Sequence, residues 1–108
     1  MAIRGCKDKA TERFLAGERV KEFQSFGEAA NKALTKLQEA VVLGDLRNPP
    51  SNIFESLRGK RSGQYSIRIN QKNRLCFTWI PRTPVQPGQD VLFVPGDADD
   101  VEIVIDYH

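Results

Sequence analysis

The chain is poor in the residues that usually hold metals: one histidine, His108, and two cysteines, Cys6 and Cys76, in 108 residues. That set cannot assemble a His/Cys metal cage, and the two cysteines fit no zinc spacing, so no metal or other cofactor is expected. On redox compartment both cysteines are read as reduced, structural groups. No segment approaches the roughly 18 uninterrupted apolar residues of a membrane span, and the opening "MAIRGCKDKA" lacks the apolar stretch of a secretory signal. The expectation is a cytoplasmic protein with no membrane partner. Its length suits one small domain spanning 1–108, and a composition 40% hydrophobic and 28% charged is that of an ordinary globular chain.

A second scarcity is local. From Ser56 to Gln89 there is no acidic residue, yet that stretch holds Arg58, Lys60, Arg61, Arg68, Lys72, Arg74 and Arg82. The net charge of +2 hides this, because the remainder of the chain is mildly acidic. A contiguous polycationic region suits phosphate groups, and the bland alternative is a solvated basic hairpin.

Periodicity gives the elements. "KDKATERFLAGE" places Ala10, Phe14 and Leu15 behind a possible N-cap, Asp8, and reads as a short amphipathic helix. In "SFGEAANKALTKLQEAVVLG", Ser25 and Glu28 form a capping box, and Phe26, Ala30, Ala33, Leu34, Leu37 and Val41 recur at helical spacing, with Gly44 as the stop. "DLRNPPSN" is a rigid loop.

After Tyr65 the period becomes two. Tyr65, Ile67 and Ile69, then Leu75, Phe77 and Trp79, alternate with polar residues, as in the two strands of a hairpin. A three-residue loop, 71–73, pairing Asn70 with Arg74 would align all six apolar side chains and put Arg68 and Arg74 together on the opposite face. Tyr65 and Trp79 are then core residues. "VLFVPG" reads as a further short strand and "DADD" as a solvated acidic turn, since it lacks the glycine and distant glutamate of an EF-hand loop. "VEIVIDYH" is the last strand, with Val101, Ile103 and Ile105 inward and Asp106 and His108 outward. The order of helices and then strands predicts an α+β fold, with two N-terminal helices on one face of a mostly antiparallel sheet and the other face open.

The run "LRGKRSGQYSIRINQKNRLCFTW", followed by the ending "DYH", resembles the HigB family of toxins within the RelE superfamily. The likeness extends over nearly the whole chain. It implies a RelE-like sheet flanked by helices and a toxin that cuts messenger RNA in the ribosomal decoding site without a metal. It also implies a helix-turn-helix antitoxin partner, HigA-like, through which alone operator DNA is met.

On that resemblance the candidate catalytic residues are His108, Tyr107, Asp106, Glu55 and Arg74, and the candidate RNA and phosphate contacts are Arg58, Lys60, Arg61 and Arg68. A guanidinium offers phosphate a planar fork, so Arg58 and Arg74 are the first choices for transition-state charge. His108 can move protons near neutral pH, a role worth roughly 10²–10⁴-fold in rate. Asp106 could orient that ring, and Tyr107 could stack on a base or donate a proton. Some family members have a histidine three residues before the basic residue of the "L-R-G" loop; here that place is Glu55, which could serve as a base instead. Two rival readings are a non-catalytic RNA-binding module, or inactive toxin relative, and a partner subunit whose open sheet face only docks another protein.

Overall fold

The structure is a computed structural model and describes residues 3–107. Two helices precede a four-stranded antiparallel sheet. Helix α1 is Lys9–Leu15 and α2 is Gly27–Glu39; the strands are β1 (Glu55–Ser56), β2 (Tyr65–Arg68), β3 (Arg74–Pro81) and β4 (Gly96–Val104), in that spatial order. The fold class is α+β, with both helices on the apolar face of the sheet.

Helix α2 follows its apolar stripe. Ala30, Ala33, Leu34 and Leu37 are buried in one cluster with Ile67, Leu75, Phe77, Trp79, Ala98, Val101 and Ile103 from the sheet. Each fully buried leucine contributes about 1.5–3 kcal/mol relative to exposure. Its start differs from the capping-box expectation. Lys21–Phe26 form a 3₁₀ turn that buries Phe23 and Phe26 and runs directly into the helix, so Phe26, not Ser25, holds the N-cap place.

The helix also stops before Gly44. Ala40 turns to extended backbone, and the Asp45 carboxylate accepts the amides of Val41 and Val42 at 2.9 and 3.2 Å. Val41 consequently faces solvent, and Leu43 and Leu46 of the next 3₁₀ turn fill the core. The proline loop is tied to α2 by Asn52, whose amide donates to Leu46 O and Asn48 O while its oxygen accepts from Lys36. Helix α1 is anchored differently: Thr11 is buried, and its hydroxyl accepts the Ile103 amide at 3.0 Å.

The hairpin keeps the expected faces but not the expected register. Tyr65 pairs with Phe77, Ile67 with Leu75 and Arg68 with Arg74, two residues away from an Asn70–Arg74 pairing. A shift of two preserves which side chains face the core. The loop is longer because Asn70 Oδ1 accepts the amides of Lys72 and Asn73, and the amides of Ile69 and Asn70 donate to Asn73 O, closing a compact turn over 69–73. Trp79 is buried with its indole donating to Val94 O, and Tyr65 is half-buried, stacked on Phe54.

Three expectations beyond β3 fail. Val91–Phe93 of "VLFVPG" are a 3₁₀ turn capped by Asp90, not a strand, and Phe93 is exposed. "DADD" is no turn; it lies inside β4, where Ala98 is buried and Asp97 pairs with Arg82 at 3.0 Å. An irregularity between the partners of Cys76 and Thr78, with Asp100 at φ 48°, restores the inward phase for Val101 and Ile103. β4 ends at Val104, so Ile105 is exposed instead of joining the inward set.

Ahead of α1, Arg4 and Lys7 donate their amides to Ala98 O and Val101 O. The segment thus runs parallel beside β4, an addition to the sheet that its polar sequence did not signal. No helix among the described residues is long and apolar enough to cross a membrane.

Candidate functional site

The second face of the sheet is not open, contrary to expectation. The register sets Glu55, Ser66, Cys76 and Glu102 in one row across all four strands, with Arg68, Arg74 and Val104 in the next. Residues 53–64 then fold against this surface. Leu57 is buried, and Ser66 and Cys76 are almost fully covered. The sequence hides this because the covering segment is polar and carries no regular period.

Arg74 is the centre of the arrangement. Its side chain donates to Ser66 Oγ at 2.7 Å and to Ile53 O at 2.6 Å, and lies 3.0 Å from Glu55 Oε1. The residue is buried, so these partners replace the water that a guanidinium would otherwise hold. On its other side the ring of Tyr107 lies 5.8 Å from the guanidinium carbon, within cation–π range. Arg68 stands directly opposite Arg74 on β2.

Arg61 is also engaged. Its Nη1 donates to Gln64 Oε1 at 3.0 Å and to Glu102 Oε1 at 3.3 Å, which fastens the basic loop to β4. Arg58 and Lys60, in contrast, are exposed and make no ion pair among the described residues. They line a cleft of about 300 Å³ together with Arg61, Val104, Asp106 and Tyr107. The basic loop and the segment after β4 therefore meet at one cleft, although they lie far apart in the chain.

The backbone of that segment is held by the β2–β3 loop. Asp106 adopts φ 53° and donates its amide to Asn73 Oδ1 at 3.0 Å; Tyr107 donates to Lys72 O at 2.7 Å. Sequence reasoning did not single out Asn73, or Ser66 as the acceptor for Arg74. The Asn70-x-x-Asn73 spacing was the one available signal for the first. His108 lies outside the described residues.

Of the candidates, then, Arg58, Lys60, Arg61, Asp106 and Tyr107 line one cleft, Arg74 and Glu55 form a pair beside it, and Arg68 adjoins Arg74 without lining it. Burial pushes the Cys76 thiol above its ordinary value, with Arg61 pulling the other way and Glu102 adding to the rise; burial likewise raises Cys6. Neither is disposed to act as a thiolate. Among the described residues no three His, Cys, Asp or Glu side chains come together as metal ligands. A wider depression of about 640 Å³ on α2 is lined by Glu28, Asn31, Lys32, Thr35 and Lys36 and gathers no comparable set of cations.

The cleft thus gathers clustered cations beside a carboxylate and a phenol, which gives it positive potential. Residues 4–87 match the family described as RelE-like toxin of type II toxin-antitoxin system HigB. Toxin HigB-1 of Vibrio cholerae serotype O1 is 38% identical over 76 residues, covering 68% of this chain and 80% of that protein. A fold comparison finds the YoeB-YefM complex from Staphylococcus aureus at TM-score 0.48 and 20% identity, covering 98% of this chain and 94% of the other. The chain belongs to the HigB-like toxins, RelE-like toxins of type II toxin–antitoxin systems.

Proposed function

We propose that this toxin is an endoribonuclease that cuts messenger RNA on the ribosome, in the cytoplasm, by metal-independent attack of a ribose 2′-hydroxyl on the adjacent phosphorus. The observation that carries the reading is the meeting of Arg58, Lys60 and Arg61 with Asp106 and Tyr107 around one cleft, beside the Arg74–Glu55 pair. Arg58 and Lys60 hold the RNA backbone, and Arg74 stabilises the charge that builds on the phosphoryl oxygens. A base takes the 2′-hydroxyl proton, the 2′-oxygen bonds to phosphorus, and an acid protonates the departing 5′-oxygen. His108 and Tyr107 are the proposed proton carriers, with Asp106 orienting the histidine and Glu55 a second candidate base. Arg68 contributes positive potential behind Arg74. The proposed partner is a helix-turn-helix antitoxin, and operator DNA is reached only through it.

Primer extension on translated messages tests this. Cuts within codons that require ribosomes, and that disappear in Arg74→Ala and His108→Ala, are expected. Salt-sensitive RNA binding with no product in the wild type would instead establish a non-catalytic binding module.

A further inference from the structure

Beyond the cleft itself, the β2–β3 loop makes two directed contacts with the segment after β4. Asp106 N–H donates to the side-chain oxygen of Asn73, and Tyr107 N–H to the main-chain oxygen of Lys72, at 3.0 and 2.7 Å. The receiving loop is itself internally closed. Asn70 Oδ1 accepts the Lys72 and Asn73 amides, and Asn73 O accepts those of Ile69 and Asn70. Asn73 is buried, at 5% exposure, so its amide side chain has little freedom to turn away.

The segment it holds has no strand pairing of its own among the described residues. β4 pairs with β3 only as far as Val104, opposite Arg74, and Ile105 beyond it is exposed. Asp106 sits at φ 53°, a left-handed conformation that costs a non-glycine residue free energy unless its surroundings compensate. The bond to Asn73 forms at that residue's own amide. It turns the chain so that Tyr107 comes over the Arg74 guanidinium, 5.8 Å from its carbon, and so that Asp106 and Tyr107 line the cleft.

We infer that Asn73 is a positioning residue: its side chain, with the Lys72 carbonyl, latches the segment after β4 onto the β2–β3 loop and thereby aims Asp106 and Tyr107 at the cleft. As a contribution to cleavage this rests on the endonuclease reading; as a latch it stands on the contacts alone. Among the described residues the Asn73 side chain bonds only the Asp106 amide, so its loss misplaces other groups without removing them, and a misplacement near 1 Å costs on the order of 10²-fold in rate.

The test pairs amide hydrogen exchange with single-turnover cleavage on programmed ribosomes, for the wild type, Asn73→Ala and Asn73→Asp. In Asn73→Ala the Asp106 and Tyr107 amides should exchange roughly five- to tenfold faster, as for loss of one hydrogen bond, with β3 and β4 unchanged. Its single-turnover rate should fall by about 10²-fold while ribosome affinity is retained. Asn73→Asp keeps an acceptor oxygen and should restore slow exchange at Asp106. Unchanged exchange at 106 and 107 in Asn73→Ala overturns the latch, and so does an equal rise throughout β3 and β4, which marks a purely structural role. If Asn73→Ala does not fold, the wild type decides: an Asp106 amide exchanging as fast as that of exposed Gln71 also overturns it. A wild type that cuts nothing on ribosomes sinks the endonuclease reading, and the exchange data still decide the latch.

Discussion

Arg74 Nη2 lies 3.0 Å from Glu55 Oε1, and the two differ sharply in exposure: the arginine side chain is 10% exposed and the glutamate 53%. The guanidinium is the committed partner, held also by Ser66 and Ile53 O, whereas the carboxylate retains water. Losing the arginine strips charge-assisted hydrogen bonds from a buried position, and each of these is worth about 1.5–3 kcal/mol. Losing the negative charge of Glu55 removes a screened pair worth roughly 1 kcal/mol or less.

Arg74→Ala should therefore lower the urea-unfolding free energy by about 3–5 kcal/mol and Glu55→Gln by less than about 1 kcal/mol. Equal losses in the two variants would mean that the buried guanidinium depends chiefly on the carboxylate. In cleavage the ranking has a second use. If Glu55 is the base, Glu55→Gln should abolish the reaction despite its mild effect on stability; if it only neutralises Arg74, most of the rate should survive.

Gly96 offers a prediction about packing at the far end of β4. A Cβ there would collide with the carbonyl oxygen of Ile80 and come within 2.6 Å of Trp79 Nε1. The first of these is backbone within the β3–β4 ladder, and it cannot move without breaking pairing. Gly96→Ala should destabilise by about 1–3 kcal/mol, the usual range for overpacking. It should also blue- or red-shift the fluorescence of Trp79, the single tryptophan. Gly27→Ala, where the nearest atom is 3.9 Å away on Phe14, is the matched control and should be tolerated.

What could be read beforehand follows from where periodic burial governs the chain. Ala30, Leu34 and Leu37 on α2, and Ile67, Leu75 and Phe77 on the hairpin, declare their faces because each meets a single apolar surface. Boundaries set by individual polar groups were not legible. Asp45 ends α2 by capping amides before Gly44 is reached, and Asn70 lengthens the hairpin loop through its side chain. "DADD" misled because three acidic residues flank one buried alanine inside a strand whose phase is reset at Asp100. Among the site residues, charge marked the whole stretch from Arg58 to Arg82, and the family resemblance narrowed the RNA contacts to Arg58, Lys60, Arg61 and Arg68. That Arg61 is tied to Glu102 while Arg58 and Lys60 are exposed depends on a strand 41 residues further on, which spacing in the sequence cannot convey.

Cys76 should register pH through stability. Its thiol is raised by burial, so the folded state favours the protonated form more than the unfolded chain does. Below the ordinary thiol value of about 8.5 that preference is fully present; as pH rises through the higher folded value, stability is lost. Other groups also titrate in alkali, so the informative quantity is the difference between wild type and Cys76→Ala. The deficit of the alanine variant at pH 7, which reflects lost packing, should shrink by pH 10. A deficit that is constant or grows would contradict the raised value. Thiol alkylation at pH 7.5 supplies the kinetic counterpart, with Cys76 labelled far more slowly than a free thiol until denaturant is added.

The exposed and the tied cations of the basic loop should separate in a salt titration of single-stranded RNA binding. Each phosphate contact releases counterions and contributes about 0.7 to the slope of log affinity against log salt. Arg58 and Lys60 are exposed and line the cleft, so Arg58→Ala and Lys60→Ala should each flatten the slope by about that amount without altering unfolding. Arg61 divides its guanidinium between Gln64 and Glu102, both on the protein. Its replacement by alanine should leave the slope closer to wild type and loosen the loop, visible as faster proteolysis around 58–63. The reciprocal change, Glu102→Gln, should release Arg61 toward the cleft and steepen the salt dependence. Should Arg58→Ala and Lys60→Ala both leave the slope untouched, the RNA path does not follow this cleft.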